Sequence, residues 1–278
     1  MPRSSINVLA LDLDGTIVAR DEVTDRTARA IASFRDSGRD IVIASGRSRK
    51  SALRWAERLG GVSGMICYNG AAVFDGAAAN GLDGAPMHES PLPEETARRL
   101  VALSRGLELH FHGNAGETYL YERRREGTAV YEERSRFSGE LVDFDAMPAL
   151  GFYKAVFLGP DPELERVAVL VREACGDAAT VFFSGPGFLE IVKTGVSKAG
   201  GLEAWLSRRG RALGEVLAFG DAENDERMLL EVGVGVAMAN APARLRELVG
   251  RCAPSVDEDG VAVYLEALLA EEGSPRPL

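Results

Sequence analysis

The chain has 278 residues, of which 46% are hydrophobic and 27% are charged, and its formal net charge is −10. This length allows two domains or one large one, and the composition is that of an ordinary soluble globular protein. The negative charge argues against a nucleic-acid binder held by phosphate contacts, because such proteins present basic surfaces. A phosphorylated ligand would need a cation to mediate its contact with so acidic a chain.

The cysteines and the apolar runs favour a cytoplasmic protein. The three cysteines, Cys67, Cys175 and Cys252, are scattered without CxxC spacing, which argues against a disulfide framework or a zinc site and favours a reducing compartment. The opening stretch MPRSSINVLAL is interrupted by Asp12 before it reaches the length of a leader peptide. No stretch reaches the roughly 18 apolar residues of a membrane span. We expect a soluble protein with no membrane partner.

The first third of the chain alternates short apolar runs with helical patterns. Buried strands are predicted at 6–12, 40–44 and 64–68, and helices at 25–37 and 48–59. Strands that alternate with helices indicate right-handed βαβ units and a parallel sheet. The small, Gly-rich residues 76–87 are typical of a linker.

The central block mixes hairpins with helices, as a small α+β domain does. The patterns predict a helix from Pro93, strands at 107–113 and 118–122 joined by a turn at Gly113-Asn114, a strand at 152–158, a helix at 162–175 and a strand at 180–185. From 188–193 (FLEIVK) onward the βα alternation resumes, with strands at 216–220 and near 234–238 and a helix after Asp259-Gly260.

These elements predict an α/β protein with one domain inserted into another. A Rossmann-like, doubly wound parallel sheet would be formed by residues 1–86 and 190–278, and residues 87–189 would form the inserted α+β domain.

Four polar clusters stand at the ends of predicted strands. Three of them directly follow a core strand: Asp12-Leu13-Asp14-Gly15-Thr16, Ser45-Gly46-Arg47 and Gly220-Asp221-Ala222-Glu223-Asn224-Asp225. The fourth, Gly195-Val196-Ser197-Lys198, opens the helix after the strand predicted to re-enter the core. Because the carboxyl ends of parallel strands meet at one edge, we expect Asp12, Ser45, Lys198 and Asp221 to lie close together.

The residue types in these clusters suit phosphoryl transfer. Several crowded carboxylates repel one another unless a cation binds, and oxygen ligands without a nearby His or Cys favour Mg²⁺. Mg²⁺, Lys198 and the Ser45 hydroxyl would then neutralise a phosphoryl group. A carboxylate can be the nucleophile, and a second carboxyl two residues later could protonate the leaving oxygen.

The motifs DLDGT, IASGR, GVSKAGGL and GDAENDERML, in this order, resemble the four motifs of the haloacid dehalogenase superfamily of phosphohydrolases. The inserted block resembles the large C2B-like α/β cap of its Cof-like, sugar-phosphatase-type branch, and the resemblance covers essentially the whole chain. It implies a Mg²⁺-dependent phosphoric monoester hydrolase acting on a small phosphorylated metabolite. Sugar phosphates are the leading class, ahead of flavin- or pyridoxal-type phosphates, and the inserted domain would act as a lid.

The resemblance also assigns the catalytic and metal-binding residues. Asp12 is the nucleophile, and Asp14 is the general acid and then the base, with its backbone carbonyl touching Mg²⁺. Lys198 neutralises the phosphoryl group. Asp221 completes the protein ligands, while Asp225 holds Lys198 or a metal-bound water without being a direct ligand.

A further group of residues is implied to bind the phosphoryl group or to lie near it: Thr16, Ser45, Gly46, Arg47, Asn69 and Asn224. Local readings stay open for two of them, because Arg47 fits a surface charge and Asn69 before Gly70 fits a turn, so the role of Asn69 rests on the resemblance. Asp225 also fits an acid in the first turn of its helix. His110 and His112 alternate on one strand face, and contact with a ligand is an open alternative to a structural role.

The same residues leave two alternative functions open, a phosphomutase and a sugar-phosphate sensor. A phosphomutase would use the same Asp12 chemistry but return the phosphoryl group to a sugar, and it would need a bisphosphate activator. A non-enzymatic sugar-phosphate sensor is disfavoured by the intact Asp12/Asp14 pair. A serine nucleophile elbow at 195–199 would require a later histidine, but all three histidines of the chain come earlier. A P-loop nucleotide hydrolase is excluded because no GxxxxGK[ST] loop is present. The oligomeric state is left open.

Overall fold

A computed structural model of the chain describes residues 6–273; the outermost parts of the predicted core domain, 1–5 and 274–278, lie outside the described residues. The helices are α1 Asp25–Asp36, α2 Arg49–Arg58, α3 Glu94–Arg105, α4 Glu126–Ser135, α5 Asp161–Cys175, α6 Lys198–Ser207, α7 Glu226–Glu231, α8 Ala243–Val249 and α9 Gly260–Gly273. None of these helices is long and apolar enough to cross a membrane.

The strands are β1 Val8–Leu11, β2 Asp40–Ala44, β3 Gly64–Cys67, β4 Ala72–Asp75, β5 His88–Glu89, β6 His110–Ala115, β7 Thr118–Tyr121, β8 Glu140–Leu141, β9 Lys154–Leu158, β10 Ala179–Gly185, β11 Phe188–Lys193, β12 Val216–Gly220, β13 Val234–Met238 and β14 Cys252–Ala253.

The first sheet has the strand order β14-β13-β12-β1-β2-β3-β4-β5. The strands from β14 to β3 are parallel, and β4 and β5 are added antiparallel. β1 is buried on both faces, since Leu9 and Leu11 pack with α1 and α9 while Val8 and Ala10 pack with α6. Burial on both faces is what a continuous apolar run in a parallel strand predicts. The α/β, doubly wound prediction is confirmed.

The second sheet has the order β10-β11-β9-β6-β7-β8 and is antiparallel apart from its β7–β8 pair. One face is apolar, with Phe111, Phe157 and Leu189 packed against α3 and α5. Because successive side chains of a strand point to opposite faces, the other face carries His110, His112 and Asn114 of β6. The loops of the first sheet contact this polar face of the second sheet.

Two predictions in the central block are wrong. Residues 188–193 do not re-enter the core: as β11 they pair antiparallel with β9 and β10, because an apolar run identifies a strand without identifying its partners. The predicted boundary at 190 falls inside this strand, and we propose that the inserted domain extends to Lys193.

Gly113 and Asn114 lie within β6 rather than in a turn. A Cβ on Gly113 would lie 2.3 Å from the Phe152 ring, so packing, not a turn, requires this glycine.

Candidate active site

The carboxyl ends of three neighbouring strands bring the polar motifs together. β1 lies between β2 and β12 and runs parallel to both, so Asp12, Ser45 and Asp221 follow their strands at the same edge of the sheet. The backbone N–H of Asp12 donates to the carbonyl oxygen of Phe219 at 3.2 Å, which continues the sheet pairing up to this carboxylate. Lys198 reaches the same place from the start of α6.

The ammonium of Lys198 is buried between two carboxylates. Its Nζ donates to Oδ1 of Asp12 at 2.5 Å and to Oδ1 of Asp225 at 2.6 Å. A cation at a helix N-terminus opposes the helix dipole. Burial by itself would lower the pKa of Lys198, but the two carboxylates raise it above its ordinary value, so the ammonium stays charged. The ion pair between Lys198 and Asp12 therefore holds the Asp12 carboxylate beside a fixed positive charge.

Asp12, Asp221 and Asp225 form a group that fits a metal ion, with one oxygen of each within 4.8 Å of the others. Burial raises the pKa of Asp12 well above its usual range, against the effect of Lys198, and repulsion from Asp225 and Asp221 adds to the rise. Burial and the charge of Asp225 raise the pKa of Asp221 to about 6. This crowding of carboxylates is relieved by a cation.

The donor set matches Mg²⁺. With three ionised carboxylates and the protonated Lys198, the group carries a net charge of −2, which a divalent cation neutralises. All its ligand atoms are oxygens, as Mg²⁺ prefers. In addition, the buried Oδ1 of Asn224 has no hydrogen-bond partner among the described residues and is free to accept one.

The Asp221 carboxylate is held by the loops that follow β1 and β13. The hydroxyl of Thr16 donates to Oδ1 of Asp221 at 2.9 Å, and the amide of Asn240 donates to Oδ2 at 3.3 Å and to the carbonyl oxygen of Gly15 at 2.8 Å. Gly15 has a φ of +82°, and a Cβ there would lie 2.2 Å from Oδ2 of Asp221. Only glycine lets the carboxylate approach this backbone.

Asp14 is bound by Arg47. The guanidinium Nε donates to Oδ2 of Asp14 at 2.7 Å and its Nη2 donates to Oδ1 at 2.5 Å. Burial by itself would raise the pKa of Asp14, but the hydrogen bonds and charge of Arg47 lower it below its usual range. Asp14 is therefore ionised while Arg47 holds it, and this pair has to open before Asp14 can carry a proton.

A cleft that is open to solvent lies between the first sheet's loops and the second domain. The core side contributes residues from the ends of β1, β2 and β12. The far wall consists of residues from α4, β9, β10 and β11: Tyr131, Arg134, Ser135, Lys154, Ser184, Phe188 and Glu190. The cleft lies between Asp12 and the second domain, where a small ligand would reach the carboxylate.

Two buried charges of the second sheet reach the core loops. Nζ of Lys154 donates to the carbonyl oxygen of Gly46 at 2.9 Å and to Oε1 of Glu190 at 2.8 Å. The amide of Asn69 donates to Oε2 of Glu190 at 2.9 Å, and its Oδ1 accepts from Asn224 at 2.8 Å. Burial by itself would raise the pKa of Glu190, but Lys154 lowers it, so the carboxylate is ionised. The second domain thus completes the hydrogen bonding of two core loops.

The predicted site residues fall into three groups. Those that line the cleft are Asp12, Asp14, Ser45, Gly46, Arg47 and Asn224. Lys198, Asp221 and Asp225 lie directly beneath through the contacts described above. The side chains of Thr16 and Asn69 are engaged with Asp221 and with Glu190 and Asn224, so their contact with a phosphoryl group stays a prediction.

Sequence reasoning misses the far wall of the cleft. Lys154 and Glu190 are single charges inside the apolar runs FYKAVFL and FLEIVK. Such charges are almost never buried unless paired, so their position is a signal that could have identified them. Arg134 lies among other charged residues in EERSR and gives no comparable signal.

His110 and His112 are buried behind the cleft wall. Nε2 of His110 and Nδ1 of His112 are 3.0 Å apart, and the hydroxyl of Thr128 is 3.0 Å from Nδ1 of His110. The ring of His112 packs against that of Tyr131, with 3.9 Å between the centroids. Burial lowers the pKa of His110 to about 4 and that of His112 well below its usual range, so both rings are neutral and structural.

Comparison with known proteins agrees with this arrangement. Residues 9–265 match the family of haloacid dehalogenase-like hydrolases. An HMP-PP phosphatase of Yersinia enterocolitica is 29% identical over 272 residues, which cover 94% of each chain.

Two solved structures have the same fold. A haloacid dehalogenase-like hydrolase from Bacteroides thetaiotaomicron has a TM-score of 0.84 and 27% identity, with 95% of this chain and 100% of that chain covered. A sugar phosphatase of HAD subclass IIB has a TM-score of 0.82 at 20% identity, over 94% of this chain and 98% of that chain.

Proposed function

The chain belongs to the haloacid dehalogenase-like hydrolase family and is a Cof-like phosphatase of that family, and from this premise we propose that it hydrolyses a small phosphomonoester through an aspartyl-phosphate on Asp12. The observation that carries the proposal is the buried Asp12–Lys198–Asp225 arrangement beneath an open cleft. It provides a carboxylate nucleophile, a fixed cation and further carboxylates for a metal at one point.

In the first step, Oδ of Asp12 attacks phosphorus and the ester oxygen leaves. Asp14 gives this oxygen its proton, so the alcohol departs neutral and Asp12 carries the phosphoryl group. In the second step, Asp14 accepts a proton from water, whose oxygen attacks phosphorus; the bond from phosphorus to Asp12 breaks, which releases inorganic phosphate and restores the Asp12 carboxylate. Lys198 stays protonated throughout and offsets negative charge at the phosphoryl oxygens.

Mg²⁺ is the proposed cofactor, held by Asp12, Asp221 and the backbone carbonyl of Asp14, with Asp225 beside it. When bound, it would neutralise charge on the phosphoryl oxygens and on the carboxylates. Thr16 and Asn240 orient Asp221 for this role.

Arg47 links substrate binding to the proton on Asp14. In the structure its guanidinium donates two hydrogen bonds to Asp14 and one to Ser51. A phosphoryl group that enters between Ser45 and Asp12 competes for this guanidinium, because arginine binds phosphate in the same two-pronged way as carboxylate. Asp14 is then released to take up the proton it delivers.

The substrate proposed is a small phosphorylated metabolite, with sugar phosphates as the first class to test. The far wall of the cleft offers hydroxyl, ammonium and guanidinium groups to a polar leaving group. The cytoplasmic location and the lack of nucleic-acid or membrane partners stay predictions; the free thiols of Cys67, Cys175 and Cys252 agree with a reducing compartment.

Phosphate release from p-nitrophenyl phosphate and from a panel of sugar phosphates tests the proposal. We expect turnover by the wild type without a bisphosphate activator, loss with EDTA and recovery with Mg²⁺. Asp12→Asn should lower turnover by about 10³-fold or more, since it removes the nucleophile. The exposed Asp177→Asn variant is the matched control and should behave as wild type.

Undiminished turnover in a folded Asp12→Asn protein would contradict the nucleophile assignment. A strict need for a bisphosphate, without steady phosphate release, would identify a phosphomutase instead.

A further inference from the structure

The charges that line the cleft are paired with one another or with their neighbours, with one exception. Three ion pairs account for the others: Lys198–Asp12, Arg47–Asp14 and Lys154–Glu190. Arg134 also lines the cleft, yet no carboxylate of the described residues pairs with its guanidinium. Among the charged side chains that line the cleft, Arg134 is therefore the one without an oppositely charged partner in the described part of the chain, and it lies on the far wall.

Arg134 is held at this wall by an aromatic ring. It lies in the last turn of α4, and its guanidinium carbon is 4.3 Å from the centroid of the Phe188 ring. This is a cation–π distance, and Phe188 itself lines the cleft. The side chain is exposed, so its charge is hydrated at little cost and is open to a ligand.

Arg134 lies near carboxylates on both sides of the cleft. Arg134 lines the same cleft as Asp14 of the core side. After burial and the effects of Lys154, it lowers the pKa of Glu190 on the far wall. The guanidinium is therefore close to the space in which a leaving group would lie.

We propose that Arg134 forms a subsite for a second anionic group, so that the preferred substrates are phosphomonoesters whose leaving group carries a further phosphate or carboxylate. The inference rests on the proposed function, because the transferred phosphoryl group is taken to lie at Asp12, where Lys198 already supplies a cation. A planar guanidinium binds either anion through two parallel hydrogen bonds. A neutral sugar would leave this charge without a partner.

Matched substrate pairs test the subsite. Fructose 1,6-bisphosphate is compared with fructose 6-phosphate, and 6-phosphogluconate with glucose 6-phosphate, so that the two sources of the second anion are read separately. The ratio of kcat/KM within each pair is measured for the wild type, for Arg134→Gln and for Arg166→Gln. Arg166 is an exposed arginine of α5 outside the cleft, so its variant makes the same charge change elsewhere on the second domain.

We expect the wild type to favour the doubly charged member of at least one pair, and Arg134→Gln to reduce that ratio by about 10- to 100-fold, the value of one charge-assisted contact. Arg166→Gln should leave the ratio as in the wild type. A fall in the bisphosphate pair alone identifies a phosphate subsite, and a fall in the gluconate pair alone a carboxylate subsite. An equal loss for both members of each pair, or no loss, overturns the proposal.

Binding separates this inference from the proposed function. Calorimetric binding of the same four compounds to Asp12→Asn, with and without Arg134→Gln, does not depend on turnover. If the wild type hydrolyses neither p-nitrophenyl phosphate nor any of the four, the proposed function fails, and the binding ratios still decide the role of Arg134. Equal ratios with and without Arg134→Gln would overturn the subsite.

Discussion

At the scale of single residues, the absence of a side chain at Gly15 is as important as the carboxylates around it. Gly15 lies in the turn after β1, and Oδ2 of Asp221 occupies the space that a Cβ would fill, at 2.2 Å. The same carboxylate accepts from Thr16 and Asn240. The position of the proposed metal ligand is therefore set by two hydrogen bonds from neutral groups and by the absence of a Cβ at Gly15.

Gly15→Ala should remove activity by displacing Asp221, and Gly38→Ala is the matched control. Both glycines have a positive φ, +82° and +88°, but a Cβ at Gly38 meets nothing within 4 Å. Each variant should lose about 1–2 kcal/mol in free energy of unfolding, because alanine is strained in the left-handed conformation. Only Gly15→Ala should also lose about 100-fold or more in kcat and bind Mg²⁺ more weakly, as measured by titration of activity against the metal. Similar kcat values for the two variants would contradict this account.

The motifs predict which residues meet at the site but not what each side chain contacts. Asp12, Ser45 and Asp221 could be placed together because each follows a core strand, and strand ends share an edge. Asn69 could not be assigned, because its amide partner Glu190 is 121 residues away and belongs to a strand predicted to lie in the other sheet. Side-chain direction depends on such distant contacts, which no local pattern contains.

At the scale of elements, β6 shows how alternation produces a sheet with two different faces. Phe111 packs into the apolar cluster with α3 and α5, while His110 and His112 lie on the opposite face beneath α4. The two rings satisfy each other and Thr128, although Nε2 of His112 has no partner among the described residues. A neutral, buried histidine pair makes this domain sensitive to acid.

We predict that His110 destabilises the fold as the pH falls. Its pKa is lowered to about 4 by burial. In the unfolded chain the pKa is about 6.5, so between these values the unfolded state binds a proton that the folded state does not. The wild type should therefore lose about 1.4 kcal/mol in free energy of unfolding per pH unit from this residue as the pH falls from 6.5 to 4.

Urea unfolding of the wild type and of His110→Gln between pH 4.5 and 7.5 measures this effect. The difference in free energy of unfolding cancels the contribution of the carboxylates common to both proteins. The stability advantage of the wild type should shrink toward acid pH at this slope, and His88→Gln, at an exposed position, is the control. A constant difference across the range would show that His110 is not held neutral in the fold.

For the elements that the sequence predicts, the first and last residues are more predictable than the strands or helices beside which each element packs. α1, α2 and α5 begin and end within about two residues of their predicted bounds, because capping and apolar periodicity are local. β11 was recognised as a strand but assigned to the wrong sheet, since Leu189, Ile191 and Val192 fit either core equally well. Pairing is a long-range property and is decided by packing.

At the scale of the whole molecule, polar contacts hold the second domain over the site. Nζ of Lys154 reaches the carbonyl oxygen of Gly46 at 2.9 Å, and the hydroxyl of Tyr68 donates to the carbonyl oxygen of Gly116 at 2.8 Å. Contacts of this kind exchange readily with water, unlike a large apolar interface. We propose that the second domain opens to admit a substrate and closes to exclude water during reaction.

The pair Lys154–Glu190 should couple this closure to the loop of Ser45, Gly46 and Arg47. Lys154→Met leaves Glu190 buried without its cation and frees Gly46, so the free energy of unfolding should fall by about 3–5 kcal/mol. We expect kcat/KM for a hexose phosphate to fall as well, by about 10-fold or more, because the loop is no longer positioned. Lys193→Met, a partly buried lysine at the end of β11, is the control for loss of a positive charge.

The double variant Lys154→Met/Glu190→Leu separates positioning from packing. Replacing a whole buried ion pair by apolar side chains is often neutral for stability, so much of the lost free energy of unfolding should return. The contacts to Gly46 and Asn69 do not return, because neither Met nor Leu donates or accepts a hydrogen bond as the charged pair does. The variant should therefore be stable and still deficient in kcat/KM, as shown by urea unfolding and steady-state kinetics on the same samples. If kcat/KM recovers together with stability, the pair only fills the interior of the second domain, and closure is positioned by other contacts.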